Sequence, residues 1–214
     1  MTLALYYAPN TCALAPYITL TEAGAEFEVH PINFRKQQNR SEKYIKLNPK
    51  HKVPLLIVDG KNLTESPAIQ IWIARKFPEA NLLPSDPWQE LQAISLLSWC
   101  SSGIHPFISR LNSTPKVCDM LDAEESVRRL AHGYLTDVFG QANTILEDRE
   151  FFFDHFTAPD AHFFWCCRRA QQLGYELSEH TNCKAHFERM SGRASTQKLF
   201  AYEKEVLESL ANAA

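Results

Sequence analysis

The apolar positions divide the chain into a first part that mixes two periods and a second part that keeps one. Leu3 to Tyr7 is a short apolar run stopped by Ala8-Pro9-Asn10, which predicts a strand and a loop. Leu14, Tyr17, Ile18 and Leu20 recur at helical spacing within residues 13–23, and Gly24 stands where such a helix ends. Alternation over residues 27–32 predicts a second strand. Residues 33–47 are polar and basic, with a short helix predicted from Ser41. Over residues 48–69 a loop with two prolines runs into a short apolar strand, Asp59-Gly60 turns the chain, and another strand follows. Ser66-Pro67 then opens a helix that continues through Ile69, Trp72, Ile73 and Phe77.

A βαβ unit followed by ββα predicts an α/β domain with a four-stranded mixed sheet, in a thioredoxin-like arrangement, over residues 1–78. Residues 79–87 have the proline and polar density of a linker, and residues 88–214 read as an all-helical bundle. One stripe there runs through Leu91, Ile94 and Leu97 to Ile104, Phe107, Ile108 and Leu111, interrupted by Ser101-Ser102-Gly103 and bent at Pro106. A second runs from Val127 through Leu130, Tyr134, Leu135, Val138 and Ala142 to Leu146, its start boxed by Asp122 and Glu125. Thr157-Ala158-Pro159-Asp160 is a further capping box, and the helix after it is apolar all round, which predicts a place at the bundle centre. Gly174 stops it. A shorter helix around Cys183, His186, Phe187 and Met190 and a tail with Leu199, Phe200, Val206 and Leu210 complete the pattern.

Composition narrows the function classes. At 214 residues the chain buries a sizeable core, and 45% hydrophobic with 22% charged residues is ordinary soluble composition. A formal charge of -3 without a basic run leaves no footprint for nucleic acid or membrane surfaces. No stretch reaches the length of a membrane span, and the first residues lack the charged and apolar regions of a signal peptide. Six unevenly spaced cysteines then fit reduced thiols in a cytoplasm better than a disulfide framework, and only seven glycines suit a mostly helical protein.

Two features within residues 48–69 have the chemistry of a ligand site. A cis bond at Val53-Pro54 leaves the Val53 backbone groups turned sideways like a sheet edge, where an extended peptide pairs. In Glu65-Ser66-Pro67, a serine N-cap with proline after it makes a helix start suited to a carboxylate, with Glu65 beside it for an ammonium group. Each alone is common, Val-Pro bonds being mostly trans and Ser-Pro helix starts mostly structural; their order and spacing together carry the reading. Cys12 falls at a predicted helix N-terminus, where the dipole and free N–H groups favour a thiolate, either its own or, by hydrogen bonding, a substrate's. Tyr6 and Tyr7 point to opposite faces of one strand, so one of them at most serves the same place, and core packing is Tyr7's alternative. His105 is a candidate weak base beside the bend at Pro106, or a capping or solvated histidine. Cys166-Cys167 reads as packing, and residues 180–186, with two His and one Cys, lack the further ligand that a metal site needs.

The ordered set Tyr6-Tyr7-Ala8-Pro9-Asn10-Thr11-Cys12-Ala13-Leu14-Ala15, Asn48-Pro49-Lys50-His51-Lys52-Val53-Pro54, Leu63-Thr64-Glu65-Ser66, His105 and the Thr-x-x-Asp box resembles the soluble glutathione S-transferases over the whole chain. With cysteine at position 12, it is most similar to the bacterial beta class. The resemblance implies glutathione as co-substrate, no tightly bound cofactor or metal, a small hydrophobic electrophile, and a homodimer. Val53, before cis Pro54, pairs with the cysteinyl part, Glu65 and Ser66 hold the γ-glutamyl end, and Lys36 and Lys52 approach the glycyl carboxylate. Cys12 lies beside the glutathione sulfur, Tyr7 matches the family's tyrosine, and His105 faces the sulfur across the cleft, the electrophile's pocket lying between the domains. Ala13, Ser98, Pro106 and Asp154-His155 depart from the class pattern. The activity so implied is conjugation of the glutathione thiolate to small apolar electrophiles. Glutathione-dependent thiol-disulfide or dehalogenation chemistry through a mixed disulfide on Cys12, and a non-catalytic binding protein, are the alternatives.

Overall fold

The computed structural model describes residues 1–212. Its contacts define two compact units: Met1–Leu83 together with the residues from Ser191 onward, and Pro84–Met190.

The first unit is thioredoxin-like. Strands β1 (Leu3–Tyr7), β2 (Glu28–Pro31), β3 (Leu55–Val58) and β4 (Lys61–Thr64) form one mixed sheet in the order β2-β1-β3-β4, with β1 parallel to β2 and antiparallel to β3. Helix α1 (Leu14–Glu22) makes the right-length crossover, and its residues Leu14 to Leu20 are all buried. Gly24, at φ +62, takes the left-handed turn past its end. The short α2 (Glu42–Leu47) starts at Ser41, whose Oγ accepts from the Tyr44 N–H at 3.3 Å. Asp59 and Gly60, both at positive φ, make the two-residue hairpin turn between β3 and β4. Helix α3 (Ser66–Lys76) follows and packs on α1.

The C-terminal helix α9 (Ala194–Asn212) packs on α1 as well, where the pattern alone had put every residue after 87 in the helical domain. Charge pairing explains the attachment. Arg193 reaches Glu22 with two nitrogens, at 2.9 and 2.8 Å, and the Ser195 hydroxyl donates to the same carboxylate. Burial works to raise the Glu22 pKa, but these donors outweigh it and hold the group below its ordinary value.

The second unit is all helical. Helix α4 (Pro87–Trp99) is capped by Asp86, runs through a π-helical turn over Cys100–Ile104, and continues as α5 (His105–Asn112) with Pro106 in its first turn. The π turn thus sits just before the residue whose ring cannot join an uninterrupted α-ladder. Helix α6 (Glu124–Ile145) begins at Ala123 without a side-chain cap, so the expected Asp122/Glu125 box is not formed; Asp122 instead turns the chain at φ +61. Helix α7 (Ala158–Gln172) does open on the Thr157/Asp160 capping box, and every residue from Ala158 to Cys167 is buried. Helix α8 (Thr181–Gly192) follows. Leu91, Leu130 and Tyr134, placed in apolar stripes by spacing, are exposed. Among the described residues no helix is long and apolar enough to cross a membrane.

Candidate functional site

The hairpin register brings together the two features that lie eleven positions apart in sequence. Leu55 pairs with Thr64, so the residues just outside that pair, Pro54 and Glu65, are neighbours at one end of the β3–β4 ladder. The Val53-Pro54 bond is cis. Glu65 adopts φ +72 and ψ +119, a conformation that costs a non-glycine residue about 1–3 kcal/mol and recurs at ligand clamps. This changes the expected cap. Glu65 itself is the N-cap residue, while Ser66 is the first helical residue, and its buried Oγ accepts from Gln70 Nε2 at 3.2 Å. The N–H groups of the first turn, which have no helical partners, are therefore offered beside Glu65.

Cys12 arrives at the same place from β1. Thr11 folds the loop by donating its hydroxyl to the Ala8 carbonyl at 2.6 Å and accepting the Ala13 N–H at 3.3 Å. The half-buried Cys12 then points its Sγ at the Val53 carbonyl, 3.8 Å away. Burial pushes the Cys12 pKa up to about 12; its own backbone hydrogen bond works the other way, Glu65 adds to the rise and Lys52 opposes it. Helix α1 also starts at Leu14, two residues beyond the sulfur, and the dipole's effect is confined to the first turn.

Glu65 is engaged by a residue that the sequence reading passed over. Lys50 Nζ lies 2.6 Å from Glu65 Oε1 and 3.0 Å from Thr64 Oγ1. Both partners are more than half exposed, so the pair contributes at most about 1 kcal/mol and opens readily. Of the two lysines expected near a carboxylate, Lys52 is exposed, lies close enough to act on Cys12, and gives its carbonyl to Tyr44 Oη at 2.6 Å and Asn48 Nδ2 at 2.7 Å. Lys36 is exposed on the loop after β2, where its N–H donates to Asn33 Oδ1 at 3.0 Å.

Tyr7 is fully buried, and its hydroxyl donates to Oε1 of Glu203 on α9, an oxygen that also accepts the Asn10 N–H at 3.0 Å. Glu203 was legible in principle. With Leu199 and Val206 it stands at i, i+4 and i+7, an acid on the buried stripe of an amphipathic helix. For Lys50 the sequence holds no comparable signal, since it is one of three basic residues in a row. His105 lies in the helical unit, half-buried at the start of α5, with its ring edge-on to Trp165 at 4.3 Å. The buried His162 stands near the same Trp165, at 6.2 Å between ring centres. Its pKa is driven down to about 3, first by desolvation and then by His105. All six cysteines are free, and among the described residues no group of three or more His, Cys, Asp or Glu gathers as a metal site.

The sheet order, the cis Val53-Pro54 bond and the α3 start are those of a thioredoxin-like fold. Residues 1–75 match the family described as glutathione S-transferase, N-terminal domain. The chain is 28% identical over 203 residues, 93% of its own length and 98% of the relative's, to glutathione S-transferase GstA of Escherichia coli O157:H7. It is 29% identical over 143 residues, 66% of this chain and 63% of that one, to maleylacetoacetate isomerase of Mus musculus. Among solved structures, the bacterial beta class glutathione S-transferase of Sphingomonas chungbukensis superposes with a TM-score of 0.81 at 28% identity, covering 94% of this chain and 98% of that one. The family match is thus to the N-terminal domain alone, and similarity to glutathione S-transferases runs over most of the chain at 28% identity.

Proposed function

We propose that the protein is a glutathione transferase of the beta class, which conjugates the glutathione thiolate to small apolar electrophiles. The observation that carries this is the convergence of the Cys12 thiol, the Val53 backbone and the Glu65 helix start at one end of the β3–β4 ladder. Three chemical groups of one γ-glutamyl tripeptide match them: a thiol, a peptide backbone and a zwitterionic glutamyl end.

In this reading the ligand's ammonium group displaces Lys50 from Glu65, and its carboxylate takes the open N–H groups of the α3 start and Ser66. The ligand's backbone pairs with Val53 next to Pro54, and Lys36 and Lys52 attract the far carboxylate. Only the thiolate of glutathione is a good nucleophile, and a Cys12 with a pKa of about 12 is a proton donor, not a competing anion. Cys12 therefore serves by donating its S–H to the glutathione sulfur. Tyr7 supports the loop from below through Glu203. The raised Cys12 pKa favours this over mixed-disulfide chemistry, which starts from a Cys12 thiolate.

Titration of the protein with glutathione by calorimetry, followed by assay with 1-chloro-2,4-dinitrobenzene, tests the reading. Binding with conjugation is expected, with Cys12→Ala lowering the rate without abolishing it. A covalent glutathione adduct on Cys12, seen by intact mass after oxidised glutathione, would shift the assignment to thiol-disulfide chemistry. Because relatives include proteins named maleylacetoacetate isomerase, maleylacetoacetate turnover is run in parallel. Isomerisation without conjugation would replace the transferase reading, and no glutathione binding would end both.

A further inference from the structure

The sheet of the N-terminal unit carries a cavity on the face opposite to Tyr7. Neighbouring strand residues point to opposite faces. Tyr7 packs against Tyr17 and Tyr202, whereas Tyr6 packs against His30 and Tyr44. Tyr6 and His30 are directly paired in the parallel β1–β2 register, and their rings stack at 4.9 Å and 27°. Tyr44, from α2, stands over Tyr6 at 5.6 Å and 56° and is pinned by its hydroxyl to the Lys52 carbonyl. Beside these rings, and lined by them, lies a cavity of about 440 Å³, within the size range of small-molecule sites.

The polar groups at its rim are unlike those of a packing defect. No Asp or Glu lines it; its charged lining group is Lys43. One turn on, Lys46 is tied to Glu42 at 2.7 Å, whereas Lys43 is exposed and forms no ion pair among the described residues. Gln38 also lines the rim, and its side-chain oxygen already accepts the Asn33 N–H at 2.8 Å, so its amide nitrogen is the end left to donate. Glu28 lies 3.4 Å from His30 Nε2, but it is well exposed and outside the lining. Aromatic walls held in place by packing and a rim offering a cation and an amide N–H select one chemistry.

We propose that this cavity binds a small planar aromatic carboxylate, its ring against the wall made by Tyr6 and Tyr44 and its carboxylate at Lys43 and Gln38. The site lies on the sheet face opposite to Tyr7 and takes a ligand that is neither nucleophile nor electrophile in conjugation.

The test is calorimetric titration of the full chain with 1-naphthoate, comparing wild type with Lys43→Gln, Tyr6→Leu and Cys12→Ala. Saturable one-to-one binding is expected, weakened about tenfold in Lys43→Gln, as loss of one charge-assisted hydrogen bond requires. Tyr6→Leu should weaken it further, and Cys12→Ala should leave it unchanged. The neutral 1-naphthamide should bind wild type and Lys43→Gln alike. Should Tyr6→Leu fail to fold, the exposed Lys43→Gln still decides the matter. Absence of saturable binding, equal affinity of wild type and Lys43→Gln for the acid, or loss of binding in Cys12→Ala would each overturn the proposal.

Discussion

The Tyr7 hydroxyl donates a hydrogen bond to the carboxylate of Glu203, 196 residues further along the chain, and both groups are buried. The same carboxylate oxygen takes the Asn10 N–H. The C-terminal helix is thereby fastened under the loop that presents Cys12. A buried carboxylate hydrogen-bonded in this way is costly to disturb from either side. Tyr7→Phe should therefore lower stability by about 1–3 kcal/mol. Urea unfolding measures this. The accompanying fall in conjugation rate should be small, since Tyr7 acts on the loop and not on the sulfur; a loss of rate by orders of magnitude with unchanged stability would give Tyr7 a direct role.

The thiol of Cys12 should behave as an unreactive one in the absence of ligand. Burial puts its pKa at about 12, well above the ordinary thiol value. Its alkylation by iodoacetamide, followed by peptide mass, should rise about tenfold per pH unit from pH 7 to pH 10 with no plateau, because the thiolate fraction rises by that factor. A plateau near pH 8 would mean that the thiolate is stabilised.

The same displacement has a consequence for stability at high pH. Cys12, Cys183, Tyr44 and Tyr202 all have folded pKa values raised to about 12, each chiefly by desolvation. The unfolded chain loses these protons first, so the stabilisation is complete below the unfolded values, near 9 for the thiols and 10 for the phenols. It is lost as pH rises from there toward 12. On the acid side His162 has the opposite displacement, from 6.5 to about 3, so stability falls as pH drops between those values. Calorimetric Tm across pH 4 to 11 should show both declines, and His162→Phe should flatten the acid one.

The carboxylate of Asp160 is a buried hydrogen-bond centre of the helical unit. It accepts the Thr157 N–H and hydroxyl at 2.8 Å each, the Phe152 N–H at 3.0 Å, and faces His186 Nε2 at 3.0 Å. Asp160→Ala leaves these groups buried without their acceptor and should cost about 3–5 kcal/mol. Asp160→Asn, which keeps one acceptor oxygen, should cost less. Chemical denaturation of the two variants gives the comparison.

The exposed Lys50–Glu65 pair sets the terms of ligand entry. Glu65→Gln should weaken glutathione by about tenfold or more, as expected when a charge-assisted contact to an ammonium group is lost. Lys50→Ala should leave affinity unchanged or improve it slightly, since the pair broken on binding is worth at most about 1 kcal/mol. Calorimetry distinguishes this from a role for Lys50 in holding the ligand, which would lower the affinity.

Local signals were enough for the strands, the helix starts at Ser41 and Thr157, the hairpin at Asp59-Gly60, and the pairing of Val53-Pro54 with Glu65-Ser66 as one candidate site. Period, turn residues and capping boxes are properties of neighbouring residues, and they survive in the folded protein because packing reinforces them. The family resemblance was likewise legible, because it rests on ordered short motifs. Three things were decided only by the tertiary structure. The side on which α9 packs depends on Arg193 and Ser195 reaching Glu22, 171 and 173 residues away, and no local period encodes that. The charge state of Cys12 depends on how much water the folded loop excludes from its sulfur, a quantity absent from any spacing. The partner of Glu65 is Lys50 because the folded loop before β3 brings its Nζ to 2.6 Å from that carboxylate, whereas in sequence Lys50, Lys52 and Lys36 are equivalent cations. Sequence thus determined the scaffold and the kinds of groups in the site; long-range packing and desolvation determined which of them meet and in what protonation state.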